Sequence, residues 1–265
     1  MTTLQSKNII VKIDSGELVS ILKNNHEYMH QKGTPGWGHS DTEMFPLIGP
    51  TEKASFKVHT PKGDATQDQH GLLRELEYKL TASDETSATF KKTYSADNPV
   101  KNSKFKKEEK PKNEGAGHPE YLTWPYDFTF EKSFKLNDKG LEIRFKINAD
   151  QDMPFMLGYH PAFNLVTGNP VIKTDKCSVN LEEVLAVGSR ALSVLDCSRI
   201  ALEDKNTLTI ETTGFKHFML WTEVKNMVCI EPITFYPYAV KQDKLDSGFN
   251  KVGSKPKEFS VKILI

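Results

Sequence analysis

The sequence predicts an all-β protein, an antiparallel sandwich or barrel. Gly and Pro punctuate the 265-residue chain about every dozen residues, and the short runs between them alternate apolar and polar with period 2. Long stretches of helical period are few. The 15 Phe suit packed sheets better than a helical bundle. Single β-sandwiches and barrels often reach ~200–250 residues, so residues 1–265 are read as one domain.

The elements follow in chain order. Gly16 to Leu22 reads as a strand, and Lys23-Asn24-Asn25 as the turn that leads into a hairpin partner at His26 to His30. A segment at about 95–118 holds Lys101, Lys104, Lys106, Lys107, Lys110 and Lys112, with Val100 and Phe105 its only large apolar residues. It has too little apolar surface to bury and is read as a mobile loop between strands. The functional alternative is that its lysines attract a sugar phosphate. Phe128-Thr129-Phe130 continues through Ser133-Phe134-Lys135-Leu136, and Leu141, Ile143, Phe145 and Ile147 share one face of the next run. Asn137 to Gly140 joins these two as a hairpin turn. Leu181 to Val187 is the one short helix expected. Leu208 to Thr212 and Phe259 to Ile263 are further strands.

Composition excludes several function classes. The formal net charge is +0, which gives no general electrostatic reason to bind nucleic acid or an anionic membrane. No run approaches ~18 apolar residues, so no transmembrane helix is expected. Met1 to Asn8 is polar and lacks the apolar core of a signal peptide. Cys177, Cys197 and Cys229 form no C-x-x-C pair, and their number is odd. Reduced thiols and a cytoplasmic location are the expectation.

His26-Glu27-Tyr28-Met29-His30 matches H-E-x-x-H, the zinc-hydrolase string. On a helix both His would face one metal. A turn signal precedes it and Gly33-Thr34-Pro35-Gly36 follows it, and a strand would separate the two imidazoles. A zinc hydrolase is therefore the less favoured hypothesis.

Two other strings carry more chemistry. Gly158-Tyr159-His160-Pro161-Ala162-Phe163-Asn164 and Cys229-Ile230-Glu231-Pro232 each place one titratable side chain in an apolar, turn-bounded segment. Gln69-His70-Gly71-Leu72-Leu73-Arg74 adds a second His and a fixed cation. A Glu in an apolar strand rarely goes unpaired. These groups suit proton transfer on a neutral polyol.

In this order and spacing the three strings resemble the aldose 1-epimerase (galactose mutarotase-like) superfamily, most closely its bacterial lactose-operon-type branch. Met44 to Gly49, Trp124 to Phe128 and Met153-Pro154-Phe155 fit as well, so the resemblance runs from about Gly16 to the C-terminus. It implies a twisted antiparallel β-supersandwich with an open cleft for a pyranose, and interconversion of α and β anomers without metal or organic cofactor. It implies His160 as general acid at the ring oxygen and Glu231 as general base at the C1 hydroxyl. His70 would hydrogen-bond near the ring oxygen, and Arg74 would orient hydroxyl groups. Trp37 and Trp221 are candidates to stack on a sugar face. The expected partner is a small sugar, free or phosphorylated, with no nucleic acid or membrane, for a monomer or homodimer. A hexose-6-phosphate 1-epimerase and a non-catalytic sugar-binding protein are the alternatives on the same scaffold.

Overall fold

A computed structural model describes residues 1–107 and 117–265. Its centre is the hairpin read from alternation. Phe128–Asn137 pairs with Gly140–Ala149, with Asn137 opposite Gly140 across a two-residue turn. Leu141, Ile143, Phe145 and Ile147 all point inward. This hairpin lies within a nine-stranded antiparallel sheet. From edge to edge the order is Ser178–Asn180, Val171–Thr174, Arg199–Glu203, Thr207–Thr213, Lys257–Leu264, Gly140–Ala149, Phe128–Asn137, Ser87–Tyr94 and Lys79–Ser83.

A six-stranded sheet carries the site. Leu192–Val194, His217–Trp221, Met227–Ile233, Gly158–Tyr159 and Glu43–Met44 lie side by side, and Ala162–Asn164 also pairs with Met227–Ile233. Aromatic rings join the two sheets. Phe45 packs on Phe128 and Phe130, and Tyr159 on Phe145, with centroids 5.0, 5.2 and 5.1 Å apart. These offset and edge-on contacts lie within the favoured range for aromatic pairs. The fold is thus an all-β antiparallel sandwich, as the alternation predicts.

A four-stranded N-terminal sheet contains the early hairpin, with Glu17–Lys23 paired to His26–Glu27. Leu181–Val187 is helical, as expected. Asn180 caps it and Glu183 reciprocates, closing a capping box. The lysine-rich segment departs from the expected loop. Val100–Lys101 pairs with Tyr121–Leu122, and Asn102 is buried, its side chain donating to the Pro119 carbonyl. Lys110 and Lys112 lie outside the described residues. Among the described residues no helix is long and apolar enough to cross a membrane.

One buried cluster was not foreseen. Lys132 follows the inward alternation of Phe128, Phe130 and Phe134 and is fully buried. Its Nζ lies 2.7 Å from Asp41 Oδ2 and 2.6 Å from Glu43 Oε1. The Tyr159 hydroxyl donates to Asp41 and the Tyr78 hydroxyl to Glu43. Burial pushes the Asp41 carboxyl up to about 6 against the pull of Lys132. Asp41 and Glu43 flank Thr42, which holds the backbone of His160, so the cluster braces the strand beside the site.

Candidate active site

His160 stands at the end of Gly158–Tyr159. Its N–H donates to Thr42 O at 2.8 Å, and its carbonyl accepts from Thr42 N–H at 3.2 Å. This fixes the peptide and aims the imidazole toward Met227–Ile233. On that strand side chains alternate, so Cys229 and Glu231 share a face. Across the ladder Cys229 sits opposite Trp221 and Glu231 opposite Met219.

The two sequence-distant groups meet. His160 Nε2 lies 3.2 Å from Glu231 Oε1, and the residues are 6% and 2% exposed. The contact is close but poorly aligned, and neither nitrogen of His160 has a hydrogen-bond partner among the described residues. Burial drives each group toward its uncharged form. Glu231 is raised well above its ordinary 4.5, and His160 is pushed down to about 3 by burial first, then by the charges of Arg74 and His39. The resemblance implies an open cleft for a pyranose; here the two side chains touch, and Trp37 lies over the imidazole.

His70 enters from a tight turn. Gly71 has φ +71, and a Cβ there would collide with the Phe45 carbonyl, so the His-Gly pair is a steric requirement. The His70 and His160 rings lie 5.5 Å apart. Arg74 Nη1 is 2.9 Å from His70 Nδ1. Arginine only donates, so Nδ1 accepts and Nε2 of His70 carries the proton. Burial first, then His160, Arg74 and Lys104, hold His70 well below 6.5 and therefore neutral.

Arg74 lines the cleft. Its guanidinium also lies 3.5 Å from Asp68 and 3.2 Å from Glu75, so it braces His70 as well as facing the cleft. Trp37 lines the cleft too. It stacks on His160 at 4.2 Å and 12°, covering one face of the imidazole. Trp221 meets His160 edge-on at 6.0 Å. Trp37 is positioned by its backbone, for its carbonyl bonds His30 Nε2 at 2.8 Å.

That bond also accounts for the H-E-x-x-H string. His26 lies edge-on to Tyr28, and the Glu27 carboxylate accepts from Ser20 Oγ and from the N–H groups of Ile21 and Met29. All three are engaged in shaping the early hairpin.

Asp68 escapes the sequence reading, and Lys104 enters it only as one of six lysines in its segment. Asp68 is fully buried, and Arg74, Lys104 and His118 converge on it. Lys104, from the lysine-rich segment, thereby becomes a wall of the cleft. A polar residue just before Gln69-His70 was the available signal for Asp68; nothing local marked Lys104. The cleft that holds His70, His160 and Glu231 measures about 330 Å³. A larger one of about 890 Å³ adjoins it and shares Trp37, Arg74 and Lys104. The smaller contains the titratable groups His70, His160 and Glu231, and its size is in the range of small-molecule sites.

The family described as aldose 1-epimerase has a sequence model that matches residues 55–231. The chain belongs to the aldose 1-epimerase family. His70, Arg74, His160 and Glu231 all fall within the matched span. Protein LacX (chromosomal) of Lactococcus lactis subsp. lactis is 26% identical over 235 residues, covering 81% of this chain and 70% of that protein. A galactose mutarotase-like protein from Lactobacillus casei superposes with a TM-score of 0.78 at 16% identity, over 100% of this chain and 99% of that one. Galactose 1-epimerase from Lactobacillus acidophilus gives 0.62 at 11% identity, over 99% and 92%. At such identities the solved structures establish a shared fold, and membership of the family supports a carbohydrate epimerase.

Proposed function

We propose that this family member is a mutarotase that interconverts the α and β anomers of an aldohexose by acid–base ring opening at His160 and Glu231. The observation that carries the reading is the direct 3.2 Å approach of a buried imidazole and a buried carboxyl, with neither imidazole nitrogen hydrogen-bonded among the described residues. Buried polar groups are normally satisfied, and exceptions cluster where chemistry is done.

The steps follow from the residue types. The C1 hydroxyl gives its proton to Glu231, and His160 gives a proton to the ring oxygen. The bond between C1 and the ring oxygen breaks, leaving the open-chain aldehyde. Rotation about C1–C2 and the reverse transfers close the ring on the other face. The pair carries one proton whether it is written as carboxylic acid with imidazole or as carboxylate with imidazolium. No proton from solvent is needed. Desolvation makes the Glu231 carboxylate a stronger base than a surface Glu. The sugar's own oxygens replace the direct imidazole–carboxyl contact and complete the missing hydrogen bonds. Neutral His70, protonated at Nε2, donates toward the ring oxygen. Trp37 swings from His160 to cover the sugar face.

Exchange NMR between anomers, run beside a binding titration, tests this. The screen covers free glucose and galactose and their 6-phosphates. Accelerated exchange of a free hexose is the expected result. Saturable binding with exchange at the buffer rate would favour a sugar-binding protein instead. Response to phosphorylated sugars alone would reassign Arg74 and Lys104 to phosphate contact.

A further inference from the structure

Cys229 takes no part in the proton transfers, yet it lies fully buried beside them. Two residues before Glu231 on the same strand, it projects from the same face. Cys229 Sγ, one nitrogen of His160 and one oxygen of Glu231 all lie within 4.8 Å of one another. Among the described residues this is the one group of three or more His, Cys, Asp or Glu side chains close enough to share a metal ion. The imidazole is more than nine-tenths buried, has no aligned hydrogen bond, and faces the other two.

We propose that the part of the cleft wall formed by His160 and Glu231, with the buried Cys229 beside them, is also a site for a divalent cation of the zinc type, held by the Cys229 thiolate, the His160 imidazole and the Glu231 carboxylate. Bond lengths of ~2.0–2.3 Å at tetrahedral angles place ligand atoms ~3.3–3.6 Å apart. The imidazole and carboxylate, 3.2 Å apart, are within about 0.1 Å of that spacing. The thiol, within 4.8 Å of both, must approach by no more than about 1.5 Å, within the range of a side-chain rotation. The ligand set selects the ion. Thiolate and imidazole favour zinc and its neighbours over calcium or magnesium, which take oxygen. Binding displaces the Cys229 thiol proton and the Glu231 carboxyl proton into solvent. Three protein ligands leave a fourth position facing the cleft, where water or a sugar hydroxyl completes the tetrahedron. Binding stands on these three side chains alone. That an occupied site stops mutarotation, by engaging both proton-transfer groups, rests on the reading given above.

Cobalt(II) is the probe, because thiolate ligation gives it a charge-transfer absorption that zinc lacks. Reduced, metal-free protein is titrated with cobalt(II), and zinc is then added to displace it. We expect one cobalt per chain with thiolate absorption, unchanged in C177S, which removes the exposed thiol. C229S should lose the absorption. E231Q should weaken binding by about 100-fold or more, beyond the loss that outer-sphere partners cause. Near-UV circular dichroism confirms that each variant is folded, and E231Q decides the matter if C229S is not. No thiolate absorption in the wild type overturns the inference, as does absorption that survives C229S, or an affinity unchanged in E231Q. Cobalt absorption in a protein without mutarotase activity would remove the catalytic reading and leave this one standing.

Discussion

Two sets of buried ionisable groups stand on adjoining strands and differ in one respect. Around Lys132 every charge has a partner: two carboxylates meet the ammonium, and Tyr159 and Tyr78 donate to them. At His160 and Glu231 the one ionic contact is between the two groups, and neither imidazole nitrogen has an aligned hydrogen bond among the described residues. Burial is equal, so burial does not distinguish the two sets; the number of partners does. The first set spends its hydrogen-bonding capacity on the fold. On the function proposed above, the second keeps it for a ligand.

The comparison can be broken first at its satisfied member. Lys132→Met leaves two buried carboxylates facing each other, and removal of one partner from a buried ion pair costs about 3–5 kcal/mol. Urea unfolding at pH 7 should show a loss of that order. The loss should shrink at pH 5, because without the Lys132 ammonium the Asp41 carboxyl is raised further than in the wild type, and its protonation relieves the repulsion. A loss under 1 kcal/mol would mean that the cluster is not what braces the strand.

His70→Gln sharpens the site's side of the contrast. A preorganised donor at a developing charge is worth about 10²–10³ in rate. The variant should lose about that factor in catalysed exchange with little change in stability. A rate equal to wild type would remove His70 from the chemistry.

Smaller effects follow from pH. The Glu231 carboxyl has a folded pKa raised above 4.5, so the unfolded chain ionises first and wild-type stability falls as pH climbs past 4.5. Glu231→Gln removes that cost. It should match wild type in melting temperature at pH 4 and exceed it at pH 8 by an amount equivalent to about 1 kcal/mol. His160 runs the other way. Its folded pKa, near 3, lies below the ordinary 6.5, so acidification from pH 7 toward 4 should cost stability. His160→Asn should flatten that slope in a melting series. An unchanged slope would deny that the imidazole is buried neutral.

Trp37→Ala should have the mildest effect. It uncovers His160, so sugar affinity should fall by several-fold while exchange at saturation stays within about tenfold of wild type, as expected of a residue that binds without moving protons.

Much of this was legible in the sequence, because the signals were local. The alternation of Leu141 to Ile147 and the turn at Asn137 to Gly140 gave the central hairpin. Asn180 and Glu183 bracketed the one short helix. The apolar flanks of His160 and Glu231 marked both as unusual. What remained hidden depends on contacts remote along the chain. Lys132 occupies a position where the pattern calls for an apolar residue, and its partners Asp41 and Glu43 lie in another strand region. A charge on a buried face announces that a partner exists without saying which. Lys104 read as one solvated lysine among six, yet Asp68 draws it into the cleft wall. The touching distance between His160 and Glu231 follows from strand pairing, and no motif encodes it.

Catalysed anomer exchange by Glu231→Gln on galactose, at a pH where the variant melts no lower than wild type, tests the central claim most directly. The account predicts a fall of about 10²–10⁴ in a protein that is at least as stable as its parent. Exchange at the wild-type rate in that folded variant would contradict it.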